Sequence, residues 1–313
     1  MTRLGKSALI FVTIGIALYA GVYCAAEQLL YRTGKTNPFY KIATSERVEF
    51  DWVILGASHA MPLDFADFNG FMERETGLRI INLAAPGTGP LYNRFVLEQF
   101  LAKHRVRNML YVVDSFAFYS ALWNEDRFAD AKLLRRTPAS LAVARRLIDH
   151  SRRDGIDPRA VLDYVSGFSK INNRERFEPD VWDGEKQFDR VYRTSATAVR
   201  SRIDYLYPKP PLETDFSRYL TEFEKLVALA RDHGVNVVAI KMPLPSQFRS
   251  KIPNEADFDK AIVRIAAEQR TSFHDFSKAL DEARLYFDTD HLNRAGLTDF
   301  FDQALKKIFA GNP

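Results

Sequence analysis

The stretch Asp51-Trp-Val-Ile-Leu-Gly-Ala-Ser58-His59 is the part of the sequence that decides the fold. Its apolar run, from Trp52 to Leu55, is short and ends at a glycine, which is typical of a buried β-strand. Ser58 follows directly, at a position where backbone N–H groups have no partner within a strand or helix. Ser58 is therefore either a nucleophile presented at a strand end or the cap of a following helix.

Four further apolar runs of similar length follow along the chain, and most are separated by segments with helical periodicity. The predicted strands are 52–55, 78–83, 108–113, 235–240 and 271–276, and the predicted helices are 65–75, 92–103, 216–232, 256–269 and 294–309. This alternation predicts an α/β protein with three α/β/α layers and a mostly parallel, five-stranded sheet. Ligands bind at the carboxyl ends of the strands in such sheets, and Ser58, Gly87 and Asp114 each follow a predicted strand.

The alternation is interrupted at about 115–213, where the sequence is rich in aromatic residues, Arg and Asp but contains no clear strand. Helices are predicted near 138–150 and 158–168, so we expect a helical insertion that covers one edge of the sheet. Its aromatic residues fit the core of a lid or a wall that binds a sugar or an acyl group. Its arginine pairs fit a solvated helix face or a contact with acidic polysaccharide or anionic lipid.

The N-terminal segment predicts a single transmembrane helix. Arg3 and Lys6 precede an apolar run from Ala8 to Ala26, with no further charge before Glu27. About 20 apolar residues cross a bilayer core, whereas the core of a signal peptide has about 7–15. A cleaved signal and a hydrophobic helix of a soluble protein are the alternatives. The predicted organisation is an anchor at 1–31, a linker at 32–50 and an α/β domain at 51–313.

The basic residues before the apolar run are expected to stay in the cytoplasm. That orientation predicts a single-pass protein of the inner membrane with its α/β domain in the periplasm. Cys24 is the single cysteine, which excludes an intrachain disulfide. The net charge of +4 is spread along the chain, and it gives no indication of nucleic-acid binding.

No metal or cofactor is expected. The histidines do not form a cluster with metal-ligand spacing. Gly87-Thr-Gly89 lacks the further glycine and the Lys-Ser/Thr pair of nucleotide-binding loops.

A second stretch, Phe287-Asp288-Thr-Asp290-His291-Leu-Asn293, precedes the last predicted helix. Residues three apart in a turn lie on one side, so Asp288 can orient the imidazole of His291. His291 can then accept a proton from Ser58, which is a poor nucleophile without such a base. Asp290 is the alternative carboxylate, but adjacent side chains diverge, and Asp288 is favoured. The two stretches together predict a Ser-His-Asp site.

The order and context of three motifs resemble the SGNH/GDSL hydrolase superfamily. Gly56-Ala-Ser58-His59 resembles its first block, Asn82-Leu-Ala-Ala-Pro-Gly87 its second block and Asp288-Thr-Asp-His291 its last block. The resemblance covers 51–114 and 235–309, and it implies an SGNH/flavodoxin-like fold. It also implies that Ser58, His291 and Asp288 are catalytic, and that the N–H groups of Ser58 and Gly87 hold the oxyanion.

The third block departs from the superfamily pattern. Gly-x-Asn-Asp is replaced by Val113-Asp114-Ser115-Phe116, so the usual asparagine donor is missing. An ionised Asp114 would repel an oxyanion, and we expect it to be protonated, turned away or in contact with substrate. His59 is expected either to line the site beside the nucleophile or to pack against the sheet edge.

A membrane-anchored domain with an altered third block is similar to periplasmic proteins that act beside membrane-bound O-acyltransferases. This resemblance implies a serine esterase or O-acetyltransferase that acts on a cell-envelope or exported polysaccharide, with a membrane-bound O-acyltransferase as partner. The alternative is a non-catalytic SGNH-like scaffold that binds polysaccharide or a membrane acyltransferase. The choice of acceptor, water or a sugar hydroxyl, stays open at the level of sequence.

Overall fold

The computed structural model describes residues 2–130, 134–208 and 212–311. The chain divides into two compact units. The first unit contains 1–43 and 128–180, and the second contains 44–127 and 181–313. The segment 115–213, which was predicted as one insertion, is thus divided between the two units.

The second unit is built on a five-stranded sheet whose strands are all parallel, which confirms the predicted fold class. The strands are β1 (Glu49–Gly56), β2 (Ile80–Asn82), β3 (Arg105–Val112), β4 (Asn236–Lys241) and β5 (Ser272–Asp275), in the order β2-β1-β3-β4-β5. In this order the chain changes direction across the sheet between β1 and β3, and such a switch point is where doubly wound sheets bind ligands. Ser58 follows β1 and Asp114 follows β3, so both lie at the switch point.

Helices alternate with the strands, as predicted. The helices of seven or more residues are α1 (Arg3–Thr33), α2 (Pro38–Thr44), α3 (Phe68–Thr76), α4 (Pro90–Leu101), α5 (Leu141–Arg153), α6 (Pro158–Ser166), α7 (Ala196–Leu206), α8 (Glu213–Asp232), α9 (Glu255–Gln269) and α10 (Arg294–Phe300). After α10 the helix continues through a π-turn, Phe301–Leu305, to Lys306–Phe309. Shorter helical segments are Glu125–Phe128, Phe168–Ile171 and Ser246–Arg249.

Strand β1 lies at the centre of the core. Val53, Ile54 and Leu55 are fully buried, and Trp52 packs edge-on against Phe309 with 5.1 Å between ring centroids. Burial of each such side chain contributes roughly 1.5–3 kcal/mol relative to leaving it exposed. Because both neighbours of β1 are parallel strands, its residues face the core on both sides of the sheet, and the apolar run is continuous.

The first unit contains α1, α5 and α6. Among the described residues, α1 is the one helix that is long and apolar enough to cross a membrane. By length and composition alone, such a helix near the N-terminus fits a single-pass anchor or a signal sequence. The segment 32–50, predicted as a linker, contains α2 and the first residues of β1.

Gly56 ends β1 with φ at +144°, in a region that is essentially restricted to glycine. A Cβ at this position would lie 2.8 Å from the backbone oxygen of Val112 on the neighbouring strand. Gly77, which ends α3 at φ +69°, offers a control because nothing lies within 4 Å of a Cβ there.

We expect Gly56→Ala to lower the free energy of unfolding by more than Gly77→Ala, for which about 1 kcal/mol is expected. The overlap with Val112 adds to the backbone strain at Gly56 but has no counterpart at Gly77. Chemical unfolding of the two variants of the full chain measures the difference. Equal losses of unfolding free energy in the two variants would show that the close approach of Gly56 to Val112 does not affect stability.

Candidate active site

The two distant stretches meet at the carboxyl edge of the sheet. The hydroxyl of Ser58 lies 2.9 Å from Nε2 of His291, although the two residues are 233 positions apart. Nδ1 of the same imidazole lies 2.9 Å and 3.0 Å from the two carboxylate oxygens of Asp288. The structure thus places Ser58, His291 and Asp288 in one continuous chain of hydrogen bonds.

The turn that carries His291 is held by its own backbone and by Asp288. One carboxylate oxygen of Asp288 accepts hydrogen bonds from the N–H groups of Asp290, at 3.0 Å, and His291, at 2.8 Å. Phe287 N–H donates to the carbonyl of His291, and Asn293 caps α10 by accepting from Gly296 N–H. Asp288 therefore fixes both the backbone and the imidazole of His291.

Aromatic rings enclose the imidazole of His291, which is 1% exposed. Phe287 stacks on it with ring centroids 5.5 Å apart and an interplanar angle of 8°. Trp182 meets it edge-on at 5.3 Å. These contacts restrict rotation of the ring, so that Nε2 stays directed at Ser58.

A second charged cluster lies directly beside this chain. His59, the residue after Ser58, has its ring centroid 4.7 Å from that of His291. Its Nδ1 lies 2.6 Å from a carboxylate oxygen of Asp114, and its Nε2 lies 3.2 Å from Asp290. The second contact is an ion pair without hydrogen-bond geometry. His59 thus lies beside the imidazole of His291 and between two carboxylates.

Asp290 is the most fully compensated carboxylate of the site. It is 1% exposed. Arg202, on α7, donates from Nε to both of its oxygens, at 3.1 Å and 3.0 Å, and the hydroxyl of Thr289 donates to it as well. Asp290 is 3.7 Å from Nδ1 of His291, whereas Asp288 is within hydrogen-bond distance. The contact to the imidazole is thus made by Asp288, the carboxylate that the sequence favoured.

The charges of the cluster are coupled. Burial disfavours the charged form of His59, but the attraction of Asp114 and Asp290 outweighs it and raises the pKa of His59 to about 10. Burial also disfavours ionised Asp290, yet His291, Arg202 and His59 together hold its pKa well below the usual range. His59 is therefore an imidazolium at neutral pH, and it balances the charge of Asp114.

The loop 84–89, which contains Gly87, is tied to the end of β1. The hydroxyl of Thr88 donates to the carbonyl of Gly56 at 3.1 Å, and Ala85 N–H donates to the same oxygen at 3.4 Å. A side chain at Gly87 would collide with the ring of Trp123. Within the described ranges, the backbone N–H groups of Ser58 and Gly87 donate to no acceptor.

A small cavity of about 20 Å³ lies against the second cluster. His59 and Asp114 form part of its wall, and the rest is mainly apolar with a few polar groups, namely Val113, Ser115, Phe116, Leu206, Tyr207, Lys241, Met242, Leu244, Phe248, Ile252 and Glu255. One carboxylate oxygen of Asp114 is buried and has no hydrogen-bond partner in the part of the chain that the structure describes. The cavity therefore has a mainly apolar wall, and the unpartnered oxygen of Asp114 is buried beside it.

His59, Asp290 and His291 bring three potential metal-ligand atoms within 4.8 Å of one another. Their chemistry does not fit a metal ion, because a metal ligand must be a neutral imidazole or a free carboxylate. His59 is protonated, and Arg202 occupies both oxygens of Asp290. Asp290 forms ion pairs with His59 and Arg202 instead.

The structure brings together five of the six residues singled out in the sequence, namely Ser58, Asp288, His291, His59 and Asp114. The sixth, Gly87, lies on the loop tied to β1. Arg202 and Trp182 were missed. Both belong to the segment predicted as an insertion, and neither has a motif around it that distinguishes it from a surface residue.

Fold and site together define an α/β protein with a Ser-His-Asp arrangement at the carboxyl edge of a parallel sheet. No protein-family model matches the chain, and no curated protein matches it. The solved structures that are similar to it include the following two. A candidate acylhydrolase from Bacteroides fragilis NCTC 9343 has 11% identity and a TM-score of 0.40, with 87% of this chain and 95% of that chain covered.

The second is a GDSL-like lipase from Bacteroides thetaiotaomicron VPI-5482, with 10% identity and a TM-score of 0.41 over the same shares of the two chains. GDSL-like proteins belong to the superfamily that the sequence motifs resemble. At these identities and TM-scores the likeness assigns neither an activity nor a substrate to this chain.

The two neighbouring carboxylates are expected to respond differently to neutralisation. Asp290→Asn leaves Arg202 without its buried counter-charge and His59 with Asp114 alone, which costs roughly 3–5 kcal/mol of stability. The side chain of Asp288 is 35% exposed, and Asp288→Asn should cost less than about 1 kcal/mol. Chemical unfolding of the full-length variants measures both losses. A larger loss for Asp288→Asn would contradict the assignment of Asp290 as the structural carboxylate.

The raised pKa of His59 makes stability depend on pH. Below about pH 6.5 both the folded and the unfolded states hold the proton, so the stabilisation by His59 is complete. As the pH rises from about 6.5 to about 10, only the folded state keeps it, and the stabilisation is lost.

We therefore expect the melting temperature of the native chain to fall relative to that of His59→Gln across this window. Gln can occupy the same space without titrating. Thermal unfolding of both proteins over a pH series measures the difference. A constant difference throughout the window would contradict a charged His59.

Proposed function

We propose that the protein catalyses acyl transfer from an ester through Ser58. The chain of hydrogen bonds from Ser58 through His291 to Asp288 is the observation that carries this proposal. His291 takes the proton of Ser58 as its oxygen attacks the ester carbonyl, and Asp288 holds the imidazole in the required tautomer. The proton then passes to the leaving alcohol, and the acyl group stays on Ser58 as an ester.

The oxyanion of the tetrahedral intermediate is held by the backbone N–H groups of Ser58 and Gly87. Two observations support this role, because both groups lack an acceptor among the described residues and the Gly87 loop is tied to the end of β1. Such donors stabilise the charge that develops in the transition state. Because the charge of Asp114 is balanced by His59, the altered third block is compatible with an oxyanion nearby.

The acyl group then passes to water, as in an esterase, or to a sugar hydroxyl, as in an O-acetyltransferase. His291 accepts the proton of that acceptor and returns it to the oxygen of Ser58 as the ester bond breaks. We propose a cell-envelope or exported polysaccharide as the substrate. The resemblance to periplasmic proteins that act beside membrane-bound O-acyltransferases supports this class, because those proteins act on such polysaccharides.

We further propose that α1 anchors the protein in the inner membrane, with the α/β unit in the periplasm and a membrane-bound O-acyltransferase as partner. The length and apolarity of α1 support the anchor, and Arg3 and Lys6 support the orientation. The second candidate function is a non-catalytic scaffold that binds polysaccharide or such an acyltransferase. The absence of the third-block asparagine from 113–116 favours it.

Replacement of Ser58 separates the two candidates. We expect the full chain in detergent to release 4-nitrophenol from 4-nitrophenyl acetate with an initial burst. Ser58→Ala should lower turnover at least about a thousandfold, because the nucleophile is removed. Intact-mass analysis after rapid quenching should show one acetyl group on the native chain.

Ser277→Ala is the matched control, since Ser277 is equally buried but lies outside the site. It should retain the burst and the acetyl adduct. If the native chain shows no turnover and no adduct on Ser58, the enzymatic proposal fails and the scaffold is favoured.

A further inference from the structure

Helix α6 and the short helix Phe168–Ile171 pack against α1 within the first unit. The hydroxyl of Tyr19, on α1, donates to the carbonyl of Ser166 at 2.9 Å. Gly167 lies so close to the ring of Tyr23 that a side chain would not fit. The end of α6 is therefore in direct contact with two tyrosines of the apolar helix.

Glu27 connects the same region to α1 one turn further along. Its carboxylate accepts from Ala139 N–H at 2.7 Å and forms an ion pair with Lys170. Lys170 is 4% exposed, and its Nζ lies 5.4 Å from the ring centroid of Tyr23. Glu27 is thus the counter-ion of a buried lysine, and the contact is specific.

These contacts set the level of α6 along α1. Tyr19 lies within the uncharged run from Ala8 to Ala26. It precedes Glu27 by eight residues, which corresponds to about 12 Å along a helix axis. If α1 crosses a bilayer, the turn at Ser166 and Gly167 lies at the depth of the outer part of that run, below the first charge.

Large apolar side chains are exposed around this turn. Leu162 is 68% exposed, Val165 58% and Phe168 62%. Leu162 and Val165 are three residues apart on one face of α6, whose opposite face buries Ala160 and Tyr164. Leu141, at the start of α5, is 78% exposed and follows the segment that Glu27 and Tyr164 hold. Grouped exposed apolar side chains of this kind mark a contact surface.

We propose that Leu141, Leu162, Val165 and Phe168 form a membrane seat that inserts into the interface of the lipid bilayer which α1 crosses. This proposal rests on the proposed anchor. The occupant is lipid, because the same surface is continuous with the apolar helix through Tyr19 and Tyr23. Helices that lie in the interface bury their apolar face about 5–10 Å into the boundary between headgroups and acyl chains, which matches the level of the turn.

These contacts also bear on α1 itself. Cleavage directly after the apolar run would remove Tyr19 and Tyr23, which contact Ser166 and Gly167. α1 therefore contributes to the packing of the first unit.

Site-directed spin labelling tests the seat in the full chain. Cys24→Ser removes the single native thiol, and Leu162→Cys, Phe168→Cys, Val263→Cys and Phe11→Cys each supply one labelling site. Val263 is a matched control, since it is an exposed apolar residue on α9 of the second unit. Phe11 reports on α1. The labelled chains are reconstituted in vesicles of phosphatidylethanolamine and phosphatidylglycerol, and collision with oxygen is compared with collision with a soluble nickel complex.

We expect the ratio of oxygen to nickel accessibility of the labels at positions 162 and 168 to exceed that of the label at position 263 several-fold. The label at position 11 should show a similarly high ratio, because α1 crosses the bilayer. The label at position 11 could lie in lipid while the labels at positions 162 and 168 are as accessible to nickel as the label at position 263. That result would contradict the membrane seat but would support the anchor. If the label at position 11 is accessible to nickel, the proposed anchor is wrong. The membrane seat, which rests on that anchor, is then wrong as well.

Discussion

The site depends on the compensation of one buried carboxylate, that of Asp290. Its negative charge is shared by Arg202 and His59, which come from two separate parts of the chain. A charge of this kind is costly to bury without partners. The ion pairs of Asp290 hold the turn that contains His291 against the end of β1. The distance between Ser58 and His291 follows from that arrangement, and so does the protonated state of His59.

The sheet supplies the frame in which this compensation is possible. With the order β2-β1-β3-β4-β5, the ends of β1 and β3 are adjacent at the switch point. His59 and Asp114 follow these two strands and meet there as an ion pair. The departure from the third block and the unusual histidine after Ser58 are thus two halves of one interaction. A chain with Asp114 but without His59 would leave a buried carboxylate without its ion pair.

The sequence predicts the five strands and their parallel direction. It also predicts the set of Ser58, Asp288 and His291. Each of these predictions rests on short local signals. Apolar runs ending in Gly or Asp predict buried strands, and a carboxylate three residues before a histidine predicts a paired imidazole. The roles of Asp290 and Arg202 were not predictable. A bidentate contact across 88 residues leaves no periodicity or spacing in the sequence. The insertion that carries Arg202 contains many arginines of similar appearance.

The sequence by itself determined the α/β class, the apolar first helix and the two stretches that meet, because strand burial and turn chemistry are encoded within a few residues. Tertiary structure alone decided that Arg202 pairs with Asp290, that His59 carries a charge, and that 128–180 forms a unit with α1. The physical reason is that pKa values and unit boundaries depend on burial and on distant charges. These are properties of the folded arrangement and of no single segment.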